Sequence, residues 1–116
     1  MPDIKIITKK ISNQELRGWL GRPFSDMIKF VADVERGVIA LGGELHADAE
    51  AVLLEDGSKQ EHLWGGNIYP DAGASERLEY TSLINIRPSQ QNRSLEVQNE
   101  DVRKRMREIV EKLIEI

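Results

Sequence analysis

The sequence predicts an α+β fold, in which a mainly antiparallel sheet of about five strands is packed by helices in the order β-α-β-β-α-α-β-β-α. Three observations support this class. The strand-like apolar segments fall into pairs, which favours hairpins. The helical segments do not alternate regularly with the strands, as a doubly wound fold requires. The length of 116 residues is that of a single domain, residues 1–116.

In the first half of the chain, apolar periodicity predicts a short strand from Ile4 to Ile7, followed by a helix. That helix opens at the capping box Ser12 to Glu15, whose side chains can satisfy free backbone amides. Near-continuous apolar character from residue 28 to residue 41 predicts two strands covered on both faces and folded at residues 34–37. A second helix is expected from about residue 47 to residue 56, closed by Gly57.

In the second half, a second capping box from Ser58 to Glu61 predicts one turn of helix that continues through Trp64 and is broken at Gly65-Gly66. A short strand is expected at residues 67–70. A longer strand is expected from about residue 78 to residue 87, where Asn85 and Arg87 share one face. The last helix is predicted to begin after Asn99. Its apolar stripe consists of Val102, Met106, Ile109, Val110, Leu113 and Ile114.

The composition excludes several classes of function. A net charge of −4 argues against nucleic acid as a partner, because a phosphate-binding surface normally carries a basic stripe. The densest basic run, residues 103–107, lies in a helix that also carries acidic residues, and we interpret it as a solvated face. An aromatic content of 5% is too low for a base-stacking platform. The chain has no cysteine, which rules out disulfides and thiolate chemistry.

The localisation expected from the sequence is cytoplasmic. The first residues lack the basic start and the apolar core of a signal peptide. No apolar run approaches the roughly 20 residues that cross a bilayer. We therefore expect a soluble protein without a membrane partner.

Several sequence blocks between about Met27 and Ser94 are distinctive in combination. They are Asp33–Gly37, Gly42–Asp48, Gly57–Gln60, Leu63–Gly65, Asn67–Pro70, Ile84–Pro88 and Asn92–Arg93. Together these blocks resemble an uncharacterised family of short bacterial and archaeal proteins, a domain of unknown function. The resemblance implies no activity, cofactor or catalytic residue, so the chemistry must be argued from the residues themselves.

The segment from Leu83 to Ser94 is the first candidate site. Arg87 and Arg93 carry planar guanidinium groups suited to carboxylate or phosphate, and Asn85 and Asn92 could orient a ligand beside them. The alternative is structural. In that case Arg87 pairs internally with Glu79 or Asp33, and the polar run is a plain turn.

His46 is the candidate catalytic residue. It lies between a glycine pair and a helix N-terminus, where the helix dipole disfavours imidazolium. A neutral imidazole there could act as a general base. The alternative is that His46 caps the helix or packs against it. No metal site is predicted, because the chain lacks a paired-histidine motif, and the sequence leaves the cofactor undetermined.

Trp64 and Asn67 flank the glycine pair and are candidate pocket residues. The alternative for Trp64, which is usual for a large aromatic residue on a short helix, is a core position. The leading hypothesis is a small cytoplasmic protein that binds a small anionic or polar ligand, with its enzymatic status left open. The alternative is a homodimeric interaction module without enzymatic activity. That alternative rests on the apolar C-terminal helix, which ends in Ile114 and Ile116, and on the two tryptophans.

Overall fold

Five strands form one antiparallel sheet in the computed structural model, which describes residues 3–116. The strands are β1 (Ile4–Ile7), β2 (Ile28–Asp33), β3 (Val38–Gly42), β4 (Leu63–Ile68) and β5 (Leu78–Glu79). Their spatial order is β1-β3-β2-β4-β5. The helices are α1 (Asn13–Arg17), α2 (His46–Glu55) and α3 (Glu100–Leu113), with short 3-10 turns at Gln60–His62, Leu83–Asn85 and Pro88–Gln90. The predicted α+β class and the order of elements are confirmed.

Helices cover both faces of the sheet, as the apolar character of β2 and β3 predicts. On the face that we call the α2 face, Leu53 of α2 packs in one core with Val31 and Ala40. On the opposite face, the α3 face, Met106 of α3 packs in a second core with Phe30. Successive residues of a strand point to opposite faces, so Phe30 and Val31 belong to different cores. The sheet therefore separates two surfaces of the molecule.

The turn between β2 and β3 is fastened by the buried carboxylate of Asp33. Its Oδ1 accepts hydrogen bonds from the backbone amides of Glu35 and Arg36, both at 2.9 Å. Its Oδ2 accepts a hydrogen bond from the hydroxyl of Ser58 at 2.7 Å. Arg36 in turn donates to Ser58 Oγ and to Asp56 Oδ2, each at 2.7 Å. This network ties the predicted hairpin to the end of α2.

Two predicted helix starts are confirmed by their caps. The hydroxyl of Ser12 accepts a hydrogen bond from the amide of Glu15 at 3.1 Å. The side-chain oxygen of Asn99 accepts from the amides of Asp101 at 2.9 Å and Val102 at 3.1 Å. Such caps satisfy amides that have no partner within the helix.

The predicted turn of helix is present as the 3-10 turn Gln60–His62, but its predicted continuation through Trp64 is wrong. The 3-10 turn ends at His62, and β4 runs through Gly65 and Gly66. These glycines allow close packing, because a Cβ atom on Gly66 would lie 2.7 Å from the ring of Phe30. The second capping box is also wrong, since the Ser58 hydroxyl belongs to the Asp33 network instead.

The predicted long strand from residue 78 to residue 87 is wrong as well. β5 ends at Glu79, and the chain turns into the 3-10 turn Leu83–Asn85. The backbone of this segment leaves the sheet, and the side chain of Asn85 takes over the pairing with β4, as described below. Asn85 and Arg87 consequently do not project together from one strand face.

Among the described residues, no helix combines the length and the apolar character needed to cross a membrane.

Candidate functional site

Asn85 acts as a strand partner through its side chain. Its amide oxygen accepts a hydrogen bond from the backbone amide of Gly65 at 2.9 Å, and its amide nitrogen donates to the Gly65 carbonyl at 3.0 Å. The same nitrogen also donates to the carbonyl of Leu95 at 3.1 Å. The residue is fully buried. Its hydrogen-bonding groups are therefore engaged within the fold.

Asn92 fastens the next loop in a similar way. Its amide nitrogen donates to the carbonyls of Asn85 at 2.8 Å, Ser94 at 2.9 Å and Glu96 at 3.0 Å. Its amide oxygen accepts from the backbone amide of Gln98 at 2.8 Å. The side-chain amide of Asn92 is buried, and both its nitrogen and its oxygen are hydrogen-bonded within the fold.

Arg87 is held against β4 rather than against a carboxylate. Its guanidinium donates to the backbone carbonyls of Gln60 and Leu63. It also stacks on the ring of Trp64, with 3.9 Å between the guanidinium carbon and the ring centroid. Burial lowers its pKa, and Glu50 partly opposes this shift. Arg93, by contrast, is exposed and has no salt bridge within residues 3–116.

His46 is the first residue of α2 and lies buried against β4. Its Nε2 is 2.7 Å from the carbonyl oxygen of Gly66. Because a carbonyl only accepts, Nε2 must carry the proton and Nδ1 the free lone pair in the neutral ring. Burial lowers the pKa of His46 to about 4, and the hydrogen bond to Gly66 partly offsets this effect. The imidazole is thus neutral near pH 7, but a group of such low pKa is a weak general base.

Asn67 lies at the far end of β4 from Arg87. Its amide nitrogen donates to Glu79 Oε1 at 2.7 Å, and the hydroxyl of Tyr69 donates to the same oxygen at 3.1 Å. Its register partner on β2 is Lys29, whereas Leu63 at the start of β4 pairs with Asp33. The sheet therefore brings His46 near Asn67 and brings Arg87 onto Trp64, at different ends of β4.

The binding and catalytic roles expected for these residues stay predictions. Trp64 lies in the core on the α3 face, and 4% of it is exposed. The side-chain amides of Asn85 and Asn92 are hydrogen-bonded within the fold. The guanidinium of Arg87 makes two hydrogen bonds, and its Nε is buried without a partner in the described part of the chain. Within the described chain, no group of three or more His, Asp or Glu side chains is arranged to hold a metal ion.

A basic cavity of about 600 Å³ lies on the α3 face, between α3 and the segment that contains β5. Its lining brings together four basic side chains, Lys10, Arg77, Arg103 and Arg107. The other lining residues are Ala74, Ser75, Leu78, Tyr80, Glu111, Ile114, Glu115 and Ile116. We call this space the basic cavity.

Local structure explains how these cations converge. Arg103 and Arg107 are four residues apart on α3, so they share one face of the helix. The guanidinium carbon of Arg103 lies 4.6 Å from the ring centroid of Tyr80. Arg77 directly precedes β5, and its Nε is buried without a hydrogen-bond partner in the described part of the chain. Lys10 comes from the connection between β1 and α1.

The electrostatics of the basic cavity favour an anion. The lining residues carry four cationic side chains and two carboxylates, those of Glu111 and Glu115, a side-chain charge of +2 on a protein of net charge −4. None of the four cations forms a salt bridge within residues 3–116. Burial raises the pKa of Tyr80, although Arg107 and Arg103 oppose the shift, so its hydroxyl remains a donor at neutral pH.

Sequence reasoning missed the basic cavity because its residues come from three distant chain segments. Arg103 and Arg107 were part of a basic run interpreted as a solvated face. Their spacing of four residues is the one signal in the sequence that pairs them. Nothing in the sequence places Lys10 or Arg77 beside them.

Comparison with known protein families supports the resemblance noted from the sequence. The model of the family described as "Protein of unknown function (DUF5674)" matches residues 5–113. A search of curated proteins and a search of solved structures found no match to the chain. The family description assigns no activity, and the expected bacterial and archaeal range stays a prediction.

Proposed function

The chain belongs to this family of unknown function, and we propose that it binds a small anionic ligand in the basic cavity. One observation carries the proposal: four cationic side chains line a single cavity, and none of them forms a salt bridge within residues 3–116. Holding like charges together costs free energy, which a bound anion offsets. The ligand class is the one predicted from the sequence. Its binding residues are placed in the basic cavity, beside α3, rather than in the segment around Arg87.

The chemistry of the cavity suits phosphate or carboxylate groups. Guanidinium groups present parallel N–H donors to the oxygens of these anions. Arg77 reaches the lining from the residue before β5, and its Nη2 donates to the carbonyl of Ala72 at 3.4 Å. His46 packs on the α2 face, whereas Tyr80 packs on the α3 face. We therefore assign binding to this cavity and no catalytic step through His46.

The first test is a thermal-shift screen against phosphate, sulfate, citrate and nucleoside monophosphates at constant ionic strength. A ligand present at about 100 times its dissociation constant adds about 2.7 kcal/mol, which moves the midpoint by several degrees in a domain of this size. We expect a stabilising anion in this panel, and we expect its effect to disappear in Arg107→Gln.

Arg93→Gln is the matched control, because Arg93 is an exposed arginine outside the basic cavity. It should leave the shift unchanged. Loss of the shift in Arg93→Gln alone would contradict the basic cavity as the anchor and return the site to the segment after Arg87. A flat response to every anion in the wild type would contradict anion binding.

The homodimer remains a second candidate, because three large apolar side chains are exposed on adjacent segments. The exposed fractions of Leu83, Ile86 and Leu95 are 76%, 43% and 43%. Ser82 donates its amide hydrogen to the carbonyl of Leu95 at 3.0 Å, which holds the two segments together. Light scattering tests this candidate: a dimer that dissociates in Leu83→Asp supports it, and a monomer at high concentration contradicts it.

A cytoplasmic location is part of both proposals.

A further inference from the structure

A second cavity, of about 440 Å³, adjoins the basic cavity on the α3 face. Both cavities are lined by Tyr80, Arg103 and Arg107. Lys104 lines only the second cavity, whereas Lys10 and Arg77 line only the first. We call these two adjoining cavities together the groove; they share two arginines, and each has cations of its own.

The two cavities follow each other along α3. The second cavity is lined by helix residues 100, 101, 103, 104 and 107, and the basic cavity by residues 103, 107 and 111 and by residue 114 just after the helix. The centres of these two sets are about six residues apart along the chain. At a rise of 1.5 Å per residue, this corresponds to roughly 9 Å along the helix.

The side chains that line the second cavity carry a smaller net positive charge than those that line the basic cavity. Arg103, Lys104 and Arg107 face the carboxylates of Glu100 and Asp101, which leaves a local charge of +1. Glu100 and Asp101 lie in the first turn of α3, where the helix dipole favours acidic residues, so their position is explained without a ligand. The second cavity would hold an anionic group less tightly than the first.

We propose that the groove binds a ligand with two anionic groups, one for each cavity, of the chemical class of a bisphosphorylated small molecule. One phosphate lies in the basic cavity, between Arg77, Arg103 and Arg107. The other lies in the second cavity, where Lys104 is its added contact. Tyr80, whose ring stacks on Arg103, lines both cavities. This inference rests on the proposed function and specifies its ligand class.

Isothermal titration calorimetry with four probes tests the inference. The probes are inorganic phosphate, pyrophosphate, a hexose 6-phosphate and a hexose 1,6-bisphosphate. We expect the hexose bisphosphate to bind at least about tenfold more tightly than the hexose monophosphate, because its second phosphate reaches the second cavity. Pyrophosphate carries two adjacent groups that cannot span the groove, so it should lack this gain.

Two variants locate the second phosphate. Lys104→Gln should remove most of the gain shown by the bisphosphate and leave the affinity for hexose 6-phosphate within about twofold of the wild type. Lys112→Gln is the matched control, since Lys112 is an exposed lysine of α3 that lines neither cavity. It should leave both affinities unchanged.

The outcomes separate the two proposals. Equal affinities for the hexose monophosphate and the bisphosphate, or a bisphosphate gain that survives Lys104→Gln, would overturn the two-phosphate inference and leave anion binding in place. No detectable binding of any probe would overturn both.

Discussion

At the scale of single residues, the side chain of Asn85 takes the place that the backbone of a neighbouring strand would have beside β4. Its amide makes the two hydrogen bonds with Gly65 that a neighbouring strand would otherwise provide. Buried polar groups must be paired, because each unpaired group costs roughly 1–3 kcal/mol. Together with Arg87, this side chain attaches the loop after β5 to the sheet. A residue that the sequence marks as a ligand contact has in the structure a clear role in stability.

Replacing Asn85 should consequently destabilise the fold. In Asn85→Ala, Gly65 loses both side-chain partners, and we expect the free energy of unfolding to fall by about 2–4 kcal/mol. Urea denaturation measures this difference. Ser89→Ala, an exposed position in the same region, should change it by less than about 0.5 kcal/mol. A similarly small effect in Asn85→Ala would refute the structural role.

His46 should make the stability of the protein depend on pH. Its folded pKa of about 4 lies below the value of about 6.5 expected when the chain is unfolded. Below pH 6.5 the unfolded chain therefore binds the proton more readily, and the free energy of unfolding falls as the pH drops toward 4. Between pH 7 and pH 4.5 the wild type should lose about 2 kcal/mol more than His46→Gln.

An NMR titration of the imidazole gives an independent check on His46. Its midpoint should lie near 4. A midpoint near the ordinary value of about 6.5 would show that the ring is solvated, and would remove the basis of the pH dependence.

At the scale of elements, local signals explain most of what could be predicted. Ser12 and Asn99 begin α1 and α3 because a capping side chain needs only its own next few residues. The hairpin of β2 and β3 follows from an apolar run interrupted at a turn. The role of Gly66 cannot be predicted from its neighbours in the sequence, because this glycine allows β4 to approach Phe30, which is far away in the chain. From the local sequence alone, a pair of glycines is therefore equally consistent with the end of a helix and with a strand that packs closely against its neighbours.

Gly66→Ala tests this account of β4. The added Cβ atom would lie 2.6 Å from the backbone oxygen of Glu79 and 2.7 Å from the ring of Phe30, so the strands must move apart. We expect a loss of about 1–3 kcal/mol in the free energy of unfolding. Gly73→Ala is the matched control, since nothing lies within 4 Å of its added Cβ atom. Equal stability of the two variants would contradict the close-packing role.

At the scale of the whole molecule, the sheet sorts the candidate residues into separate regions. His46 lies on the α2 face, whereas the basic cavity lies on the α3 face. The candidate site could not be predicted because its cations come from around residue 10, residue 77 and residues 103–107. Only the antiparallel sheet order and the path of α3 bring these segments together. The net charge of −4 conceals this local excess of positive charge, so net charge alone is a poor guide to partners.

The most direct measurement of anion binding follows the arginine Nε–Hε resonances of the labelled protein during a titration with a hexose 1,6-bisphosphate. The account predicts saturable shifts for Arg77, Arg103 and Arg107, whose guanidinium groups line the basic cavity. The resonances of Arg87 and Arg93 should stay in place. Saturable shifts at Arg87 or Arg93, with none at the three cavity arginines, would contradict the account.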